Sequence, residues 1–174
     1  STLVVDRLGA RAPERYHSIA RTLLEGEQRQ IAGGAPAIEE FVAALRDSVA
    51  AHPVAVLPVG AFLSAGVDSG ALVGLMRDAG ANEIQTITIG FEEFRGAHED
   101  ETPLAGEVAA LYGTRHTSRV VTRREFEADL PKILEAMDQP SIDGINTWFV
   151  SKAACELGLK VAISGLGGDE PLAG

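Results

Sequence analysis

Two short stretches of this chain place Ser, Gly and Asp directly after an apolar run. The first is Ser64 to Ser69, which follows the apolar residues 59–63 and precedes apolar residues at helical spacing. Such a strand–turn–helix junction offers free backbone N–H groups and the positive end of a helix dipole, which favour a bound anion. The hydroxyls of Ser64 and Ser69 can donate to phosphate oxygens. Asp68 alone would repel phosphate, so its presence indicates a bridging Mg²⁺.

The second stretch is Ser164 to Glu170, which reads Ser-Gly-Leu-Gly-Gly-Asp-Glu after the apolar residues 161–163. Two strand ends that each carry Ser, Gly and a carboxylate are what a nucleotide–Mg²⁺ site between neighbouring parallel strands requires. We therefore expect Asp68 and Asp169 to converge on one metal, although they lie far apart in the sequence.

The first turn differs from two better-known phosphate loops. The chain has no G-x-x-x-x-G-K-[ST] sequence, and the turn is not a G-x-G-x-x-G dinucleotide fingerprint. Taken alone, the turn is also compatible with an ordinary strand-to-helix connection that is capped by Asp68 or Ser69. The second turn argues against that interpretation, because a plain connection does not call for a matching acidic turn elsewhere.

The first turn resembles the pyrophosphate loop S-G-G-x-D-S of ATP pyrophosphatases, with Ala65 in the place of one glycine. Over roughly residues 36–174, the chain resembles the synthetase domain of glutamine-dependent asparagine synthetases. The segments that carry this resemblance, in family order, are residues 58–69, 86–91, 99–101, 108–109, 112–116, 138–140 and 164–170.

The resemblance implies an α/β fold with three α/β/α layers and a doubly wound parallel sheet, the adenine nucleotide alpha hydrolase-like fold of PP-loop ATP pyrophosphatases. Alternating strand and helix patterns favour the same architecture. The implied activity is that of an amide-forming ligase, which adenylates a carboxylate such as the β-carboxylate of aspartate, releases pyrophosphate, and lets ammonia from glutamine attack the adenylate.

The resemblance also implies which residues bind ATP and Mg²⁺. The ATP-binding residues are Leu63, Ser64, Ala65, Gly66, Asp68, Ser69, Ile89, Gly90, Ser164 and Gly165. The adenine edge is expected at Ile89 and Gly90, where the second strand of the sheet ends. The metal ligands are expected to be Asp68 and Asp169, and no catalytic residue beyond the nucleotide site is assigned.

The chain departs from the family at Leu166, where many asparagine synthetases carry an acidic residue. An apolar side chain cannot make the charge-assisted hydrogen bonds of a carboxylate. We therefore expect weak selectivity for aspartate and leave the identity of the acceptor carboxylate open.

The expected organisation is a linker and remnant of a preceding segment at residues 1–35, followed by the synthetase domain at residues 36–174, truncated at its C-terminal end. The resemblance implies a glutaminase domain in the intact parent, and we expect the fragment alone to be inactive. Two alternatives remain: an ATP-binding module without turnover, and a different pyrophosphate-loop adenylating enzyme. The absence of Cys-x-x-Cys and of basic tracts argues against a tRNA-thiolating enzyme.

The composition of the chain indicates which kinds of molecule the protein binds and in which cellular compartment it is expected. The net charge of −10, without a long basic run, is typical of a protein that does not bind nucleic acid. A single cysteine, Cys155, favours a reducing compartment, and the chain has no long apolar span. We expect a cytoplasmic protein that binds small molecules; a homodimer is compatible with the sequence.

Three further residues, Asp100, Glu101 and His116, have both structural and functional interpretations. Asp100 and Glu101 are expected to cap the helix that follows them or to contribute to the site. His116 is interpreted as a hydrogen-bonded residue at a strand start, with catalysis as the alternative. Cys155 is interpreted as a small buried core residue.

Overall fold

The computed structural model describes residues 1–28, 35–52, 59–139 and 141–168. The chain divides into two compact units, Ser1–Ala43 and Ala44–Gly174. In the first unit, strand β1 (Val5–Asp6) pairs antiparallel with β2 (Gly9–Ala10), and helix α1 (Ile19–Gln28) follows. Helix α2 (Ala35–Ala51) begins in the first unit and ends in the second.

The second unit alternates strands and helices. Its elements after α2 are β3 (Val59–Phe62), α3 (Val67–Asp78), β4 (Gln85–Phe91), a 3₁₀ turn (Glu92–Phe94), α4 (Thr102–Leu111), β5 (Arg115–Val121), α5 (Arg123–Ala136), α6 (Gly144–Glu156) and β6 (Val161–Ile163). No helix within the described ranges is both long and apolar enough to cross a bilayer.

The four strands β3 to β6 form one parallel sheet in the order β5-β4-β3-β6. The chain runs outward from β3 through β4 to β5 and then returns to the other side of β3. The strand order therefore reverses at β3, which is the arrangement of a doubly wound sheet. In register, Ala61 of β3 lies beside Ile163 of β6, so the two glycine-containing turns leave the sheet side by side.

Helices cover both faces of this sheet. On one face, Ala61 and Leu63 pack with Val73 of α3 and Ala105 of α4 in a buried cluster. On the other face, Ile87 packs against Ala153 and Ala154 of α6. The third cluster joins Val121, Ile133 of α5 and Phe149 of α6 on that second face. The predicted three-layer α/β/α fold is thus confirmed.

Several element boundaries differ from the sequence-based expectation. The sequence pattern predicts a helix over residues 70–79, and α3 begins earlier, at Val67, because Gly66 is extended (ψ 153°) and serves as its N-cap. A strand is predicted over residues 84–89, and β4 continues through Gly90 and Phe91, since both residues still pair with β5. A helix is predicted over residues 147–157, and α6 begins earlier, at Gly144, because the carbonyl of Asp143 already accepts the first helical hydrogen bond from Thr147 N.

Thr122 and Glu125 have the spacing of a capping box, which the sequence predicts at the start of α5 and which forms only in part. Thr122 is the N-cap, and its hydroxyl accepts a hydrogen bond from Glu125 N at 3.2 Å. The Glu125 carboxylate does not return to Thr122; it binds Arg119 and Lys152 instead. Two cationic partners offer a carboxylate stronger hydrogen bonds than one neutral amide does.

The expectation that Cys155 is buried is wrong, since this thiol is exposed. Ala153 and Ala154 take the buried positions on α6. The next residue of an α-helix lies about 100° further around the axis. Cys155 therefore points away from the sheet.

Candidate active site

A cleft of about 480 Å³ opens at the carboxyl ends of strands β3, β4 and β6. It is bordered by both glycine-containing turns, by the end of β4, by Glu101 before α4, and by the first two turns of α6. The lining residues are Phe62, Leu63, Ser64, Gly66, Asp68, Ser69, Ile87, Thr88, Ile89, Glu101, Asp143, Asn146, Thr147, Val150, Ser164, Gly165, Leu166 and Gly167. In doubly wound sheets, ligands bind in such a crevice where the strand order reverses.

The two turns touch each other at this cleft. A Cβ built on Gly165 would lie 3.0 Å from Ser69 N and 3.1 Å from the carbonyl carbon of Asp68. A Cβ built on Gly168 would lie 3.2 Å from the carboxylate carbon of Asp68. Both positions therefore lack a side chain where the second turn meets the N-terminus of α3. Gly167 has a positive φ of 92°, which favours glycine at the tip of the turn.

The first turn is held together by its two serines. The hydroxyls of Ser64 and Ser69 lie 2.9 Å apart, and Ser69 Oγ also accepts from Ser64 N. Gly66 N in turn donates to Ser64 Oγ at 3.1 Å. These bonds tie the strand end to the helix start, so the loop has a defined shape before any ligand arrives.

Helix α3 has no side-chain cap at its N-terminus. Gly66, which has no side chain, is the N-cap, so neither Asp68 nor Ser69 is the capping residue that an ordinary connection would use. The exposed carboxylate of Asp68 lies in the first turn of the helix and lines the cleft. An uncapped helix N-terminus at the mouth of a cleft is well suited to an anionic ligand.

Of the two expected metal ligands, the structure describes Asp68, whereas Asp169 lies outside the described residues. Within the described ranges, no group of three or more His, Cys, Asp or Glu side chains could hold a metal ion. Asp68 does fit the proposed role, since its carboxylate supplies the oxygen donors that Mg²⁺ prefers. Gly168, which contacts this carboxylate, immediately precedes Asp169 in the chain.

The remaining expected ATP-binding residues lie at the same edge of the sheet, and most of them line the cleft. Leu63 N donates to Ile87 O at 2.9 Å, which joins the end of β3 to β4. Ile89 lines the cleft, whereas its neighbour Gly90 does not. A Cβ on Gly90 would come within 2.7 Å of Thr102 Cγ2, so glycine lets the start of α4 approach β4. Ala65 is also absent from the lining, and its backbone N–H points to Glu101.

The adjacent acids Asp100 and Glu101 have different roles. Asp100 Oδ1 accepts a hydrogen bond from Thr102 N at 3.1 Å, and its Oδ2 accepts one from Gly96 N at 2.9 Å. The bond from the Thr102 hydroxyl is the main cause that holds the pKa of Asp100 below its usual value, and the two backbone bonds add to it. Asp100 thus orders the entrance to α4, while the Glu101 carboxylate reaches the first turn and lines the cleft.

Helix α6 supplies cleft residues that no sequence motif predicted, namely Asn146, Thr147 and Val150, and Asp143 lies in the cleft directly before this helix. The helix is anchored by Lys152, whose ammonium group lies 2.6 Å from both Asp129 Oδ2 and Glu125 Oε1. These contacts, chiefly the one with Asp129, raise the pKa of Lys152. Arg119 extends the network by binding Glu125 and Glu156, which raises the pKa of its guanidinium.

His116 belongs to the other end of the sheet. It lies at the start of β5, where Nδ1 is 3.0 Å from Thr86 Oγ1 and Nε2 is 3.0 Å from Ser118 Oγ. Burial lowers the pKa of its imidazole. The residue does not line the cleft, so the structure favours the hydrogen-bonding interpretation over a catalytic one.

The tight contact at Gly165 leads to a testable prediction. A methyl group added by Gly165→Ala would press on three backbone atoms of residues 68 and 69 and separate the two turns by a few tenths of an ångström. We expect ATP affinity, measured by calorimetry, to fall about tenfold, because bound ligands are sensitive to small displacements of the groups that hold them. Gly106→Ala is the matched control, since a Cβ there meets nothing within 4 Å. Equal ATP affinity in both variants would contradict a shared site between the turns.

The family model described as Asparagine synthase matches residues 40–174. The chain belongs to the asparagine synthase family. It is 36% identical over 139 residues to asparagine synthetase [glutamine-hydrolyzing] 1 of Bacillus subtilis, which covers 79% of the chain and 21% of that protein. It is 40% identical over 138 residues to a putative asparagine synthetase of Mycobacterium bovis, with 78% and 20% covered.

The expected resemblance to asparagine synthetases is therefore confirmed. The chain spans about a fifth of the length of these two curated relatives. Among solved structures, the NMN synthetase of Francisella tularensis aligns with a TM-score of 0.49 and 16% identity, over 71% of this chain and 52% of that one. An NH3-dependent NAD synthetase of Campylobacter jejuni aligns with a TM-score of 0.42 and 12% identity, over 68% and 49%.

Proposed function

We propose that this chain is the nucleotide-binding part of an ATP-dependent amide-forming ligase, which adenylates a carboxylate, releases pyrophosphate and passes the adenylate to ammonia. One observation carries the proposal: the two Ser-Gly turns after β3 and β6 meet at a single cleft, with Gly165 against the start of α3. Membership of the asparagine synthase family supports the class of reaction.

In this proposal, ATP binds with its phosphates at the first turn. The uncapped N–H groups of α3 and the hydroxyls of Ser64 and Ser69 bind phosphate oxygens, and the second turn closes the site at Ser164 and Gly165. Leu63 and Ile89 border the adenine, and Gly90 follows Ile89 in β4. The relatives reported above are glutamine-hydrolysing synthetases by name, which supports ammonia from glutamine as the amine source.

Asp68 and Asp169 would hold Mg²⁺, which when bound would offset the negative charge that develops on the leaving pyrophosphate. The chain's own residues bind ATP and the acceptor and orient them for reaction. They place an oxygen of the acceptor carboxylate in line with the α-phosphorus, so that a new P–O bond forms as the bond to pyrophosphate breaks. Ammonia then attacks the acyl carbon and releases one proton to solvent, and AMP leaves with the electron pair of the broken C–O bond. Positioning and electrostatic stabilisation are the main contributions of such a site.

The intact protein would act on small molecules in the cytoplasm, together with a glutaminase domain that delivers the ammonia. Exchange of labelled pyrophosphate into ATP, measured in the protein that contains this chain, tests the proposed reaction. Exchange that depends on a carboxylic acid is the expected result. ATP binding without any such exchange, across a broad panel of acids, would favour a nucleotide-binding module without turnover and would overturn the ligase proposal.

The acceptor preference gives a further prediction at Leu166, whose side chain is 75% exposed and borders the cleft beside Ser164. We expect aspartate not to be preferred in a panel of carboxylic acids scored by pyrophosphate release. Leu166→Glu supplies a carboxylate for a charge-assisted hydrogen bond, worth about tenfold or more in rate toward an amine-bearing acceptor. Leu166→Gln is the matched neutral control. A wide preference for aspartate in the unmodified protein would refute the inference.

A further inference from the structure

We propose that the Glu101 carboxylate occupies, in the nucleotide-free protein, the place of a phosphate oxygen on the first turn, and that an incoming phosphate chain must displace it. This inference rests on the proposed function, since it concerns the same cleft. It assigns Glu101 a role as an internal competitor for ATP and pyrophosphate.

The contact that carries the inference joins two segments far apart in the sequence. Ala65 N donates a hydrogen bond to Glu101 Oε2 at 3.3 Å. Ala65 belongs to the first turn, where the Ser64 and Ser69 hydroxyls and the N–H groups at the start of α3 bind phosphate oxygens in the proposed site. A carboxylate oxygen and a phosphate oxygen are both anionic acceptors, and one N–H group cannot fully serve both. Binding of a phosphate oxygen at Ala65 N therefore requires Glu101 to leave.

Hydrogen bonds and packing hold the segments next to Glu101, whereas its own side chain is exposed. The preceding Asp100 binds Gly96 N and Thr102 N, and Thr102 packs closely against Gly90. Glu101 itself is exposed, and within the described part of the chain its carboxylate has a single hydrogen-bond donor, Ala65 N. Displacement thus costs one long hydrogen bond at a solvated carboxylate and needs no movement of α4.

The negative charge of the cleft strengthens the competition between Glu101 and an incoming phosphate. Among the described residues, the carboxylates of Asp68, Glu101 and Asp143 line the cleft. Asp68 has a proposed partner in Mg²⁺, and Asp143 has no side-chain hydrogen bond to the helix that it precedes. Glu101 is the lining carboxylate that bonds directly to a backbone N–H of the first turn. Its neutralisation should therefore favour phosphate more than the neutralisation of Asp143 does.

The experiment compares the full chain with Glu101→Gln and Asp143→Asn by calorimetric titration with pyrophosphate and with ATP, each with Mg²⁺. Each substitution removes one negative charge from the same cleft and changes side-chain size little. We expect Glu101→Gln to bind pyrophosphate about five- to tenfold more tightly, and Asp143→Asn to change affinity less than about twofold. Unchanged or weaker binding by Glu101→Gln overturns the inference, and so does an equal gain in both variants.

The Ala65 amide gives a second readout that does not depend on affinity. In ¹⁵N-labelled protein, its resonance should differ between the unmodified chain and Glu101→Gln, and saturation with pyrophosphate should bring the two resonances together. An Ala65 resonance that is the same in both free proteins would overturn the inference. Failure of the unmodified chain to bind either pyrophosphate or ATP would instead refute the proposed function, so the two failures are distinguishable.

Discussion

The Asp68→Asn variant is expected to lose most of the gain in ATP affinity that Mg²⁺ gives to the unmodified chain. Asp68 is the described member of the proposed metal pair, and its exposed carboxylate lies in the first turn of α3 against Gly168. Replacing a carboxylate with an amide removes a charged ligand, and contacts to charged groups are worth roughly 1.5–3 kcal/mol, or about tenfold to a hundredfold in affinity. Calorimetric titration with ATP, with and without Mg²⁺, measures the difference.

Asp78→Asn provides the matched control for this experiment. It makes the same chemical change at the other end of α3, where the carboxylate forms only an exposed pair with Arg46 at 3.4 Å. This control should keep the full Mg²⁺ dependence, because exposed ion pairs contribute little and the site is remote. Metal-dependent binding of equal strength in Asp68→Asn and in the unmodified chain would rule out Asp68 as a metal ligand.

The Phe149→Ala variant is expected to lose about 3–5 kcal/mol of the free energy of unfolding, as large truncations in well-packed cores do. Phe149 of α6 is 0% exposed. Its ring stacks on Phe126 with a centroid separation of 6.0 Å and meets Phe91 edge-on at 6.0 Å. Its loss would leave a cavity between α6, α5 and the sheet. Urea denaturation followed by circular dichroism measures the change.

Phe94→Ala is the control for this truncation, because the Phe94 ring is 46% exposed and contacts the same cluster only at Phe91. We expect Phe94→Ala to lower the free energy of unfolding by less than half as much as Phe149→Ala does.

Phe149 lies on the same helix as Asn146 and Val150, which line the cleft. Phe149→Ala should therefore weaken ATP binding as well. Equal stability of the two Phe variants would mean that the Phe149 ring does not anchor α6.

The two turns were predictable because their signals are local. Ser64 to Ser69 and Ser164 to Gly168 each follow an apolar strand, and parallel strands bring their carboxyl ends to one edge of the sheet. The pairing of β3 with β6 then follows from the doubly wound order, and the contact of Gly165 with Ser69 confirms that the turns meet. The Thr122 cap was predictable for the same reason, since it depends on neighbouring residues alone.

Features that depend on packing between distant segments were not predictable in this way. The sequence presents Asp100 and Glu101 as equivalent acids before a helix, and only the approach of α4 to β3 separates their roles. The cleft residues of α6 carry no motif, because their place depends on how Lys152 anchors that helix to α5. The expected burial of Cys155 was wrong because a shift of one position along a helix can turn a side chain from the sheet to solvent.

Mapping backbone amide shifts of the ¹⁵N-labelled chain during titration with ATP and Mg²⁺ tests whether ATP binds between the two turns. We expect the largest shifts at residues 63–69, 89–90 and 164–165, with smaller ones at the start of α6. Residues around the separate apolar pocket formed by Phe91, Phe94 and Phe126 should stay unchanged. Shifts centred on that pocket, or no saturable shifts at the turns, would mean that ATP does not bind between the two turns.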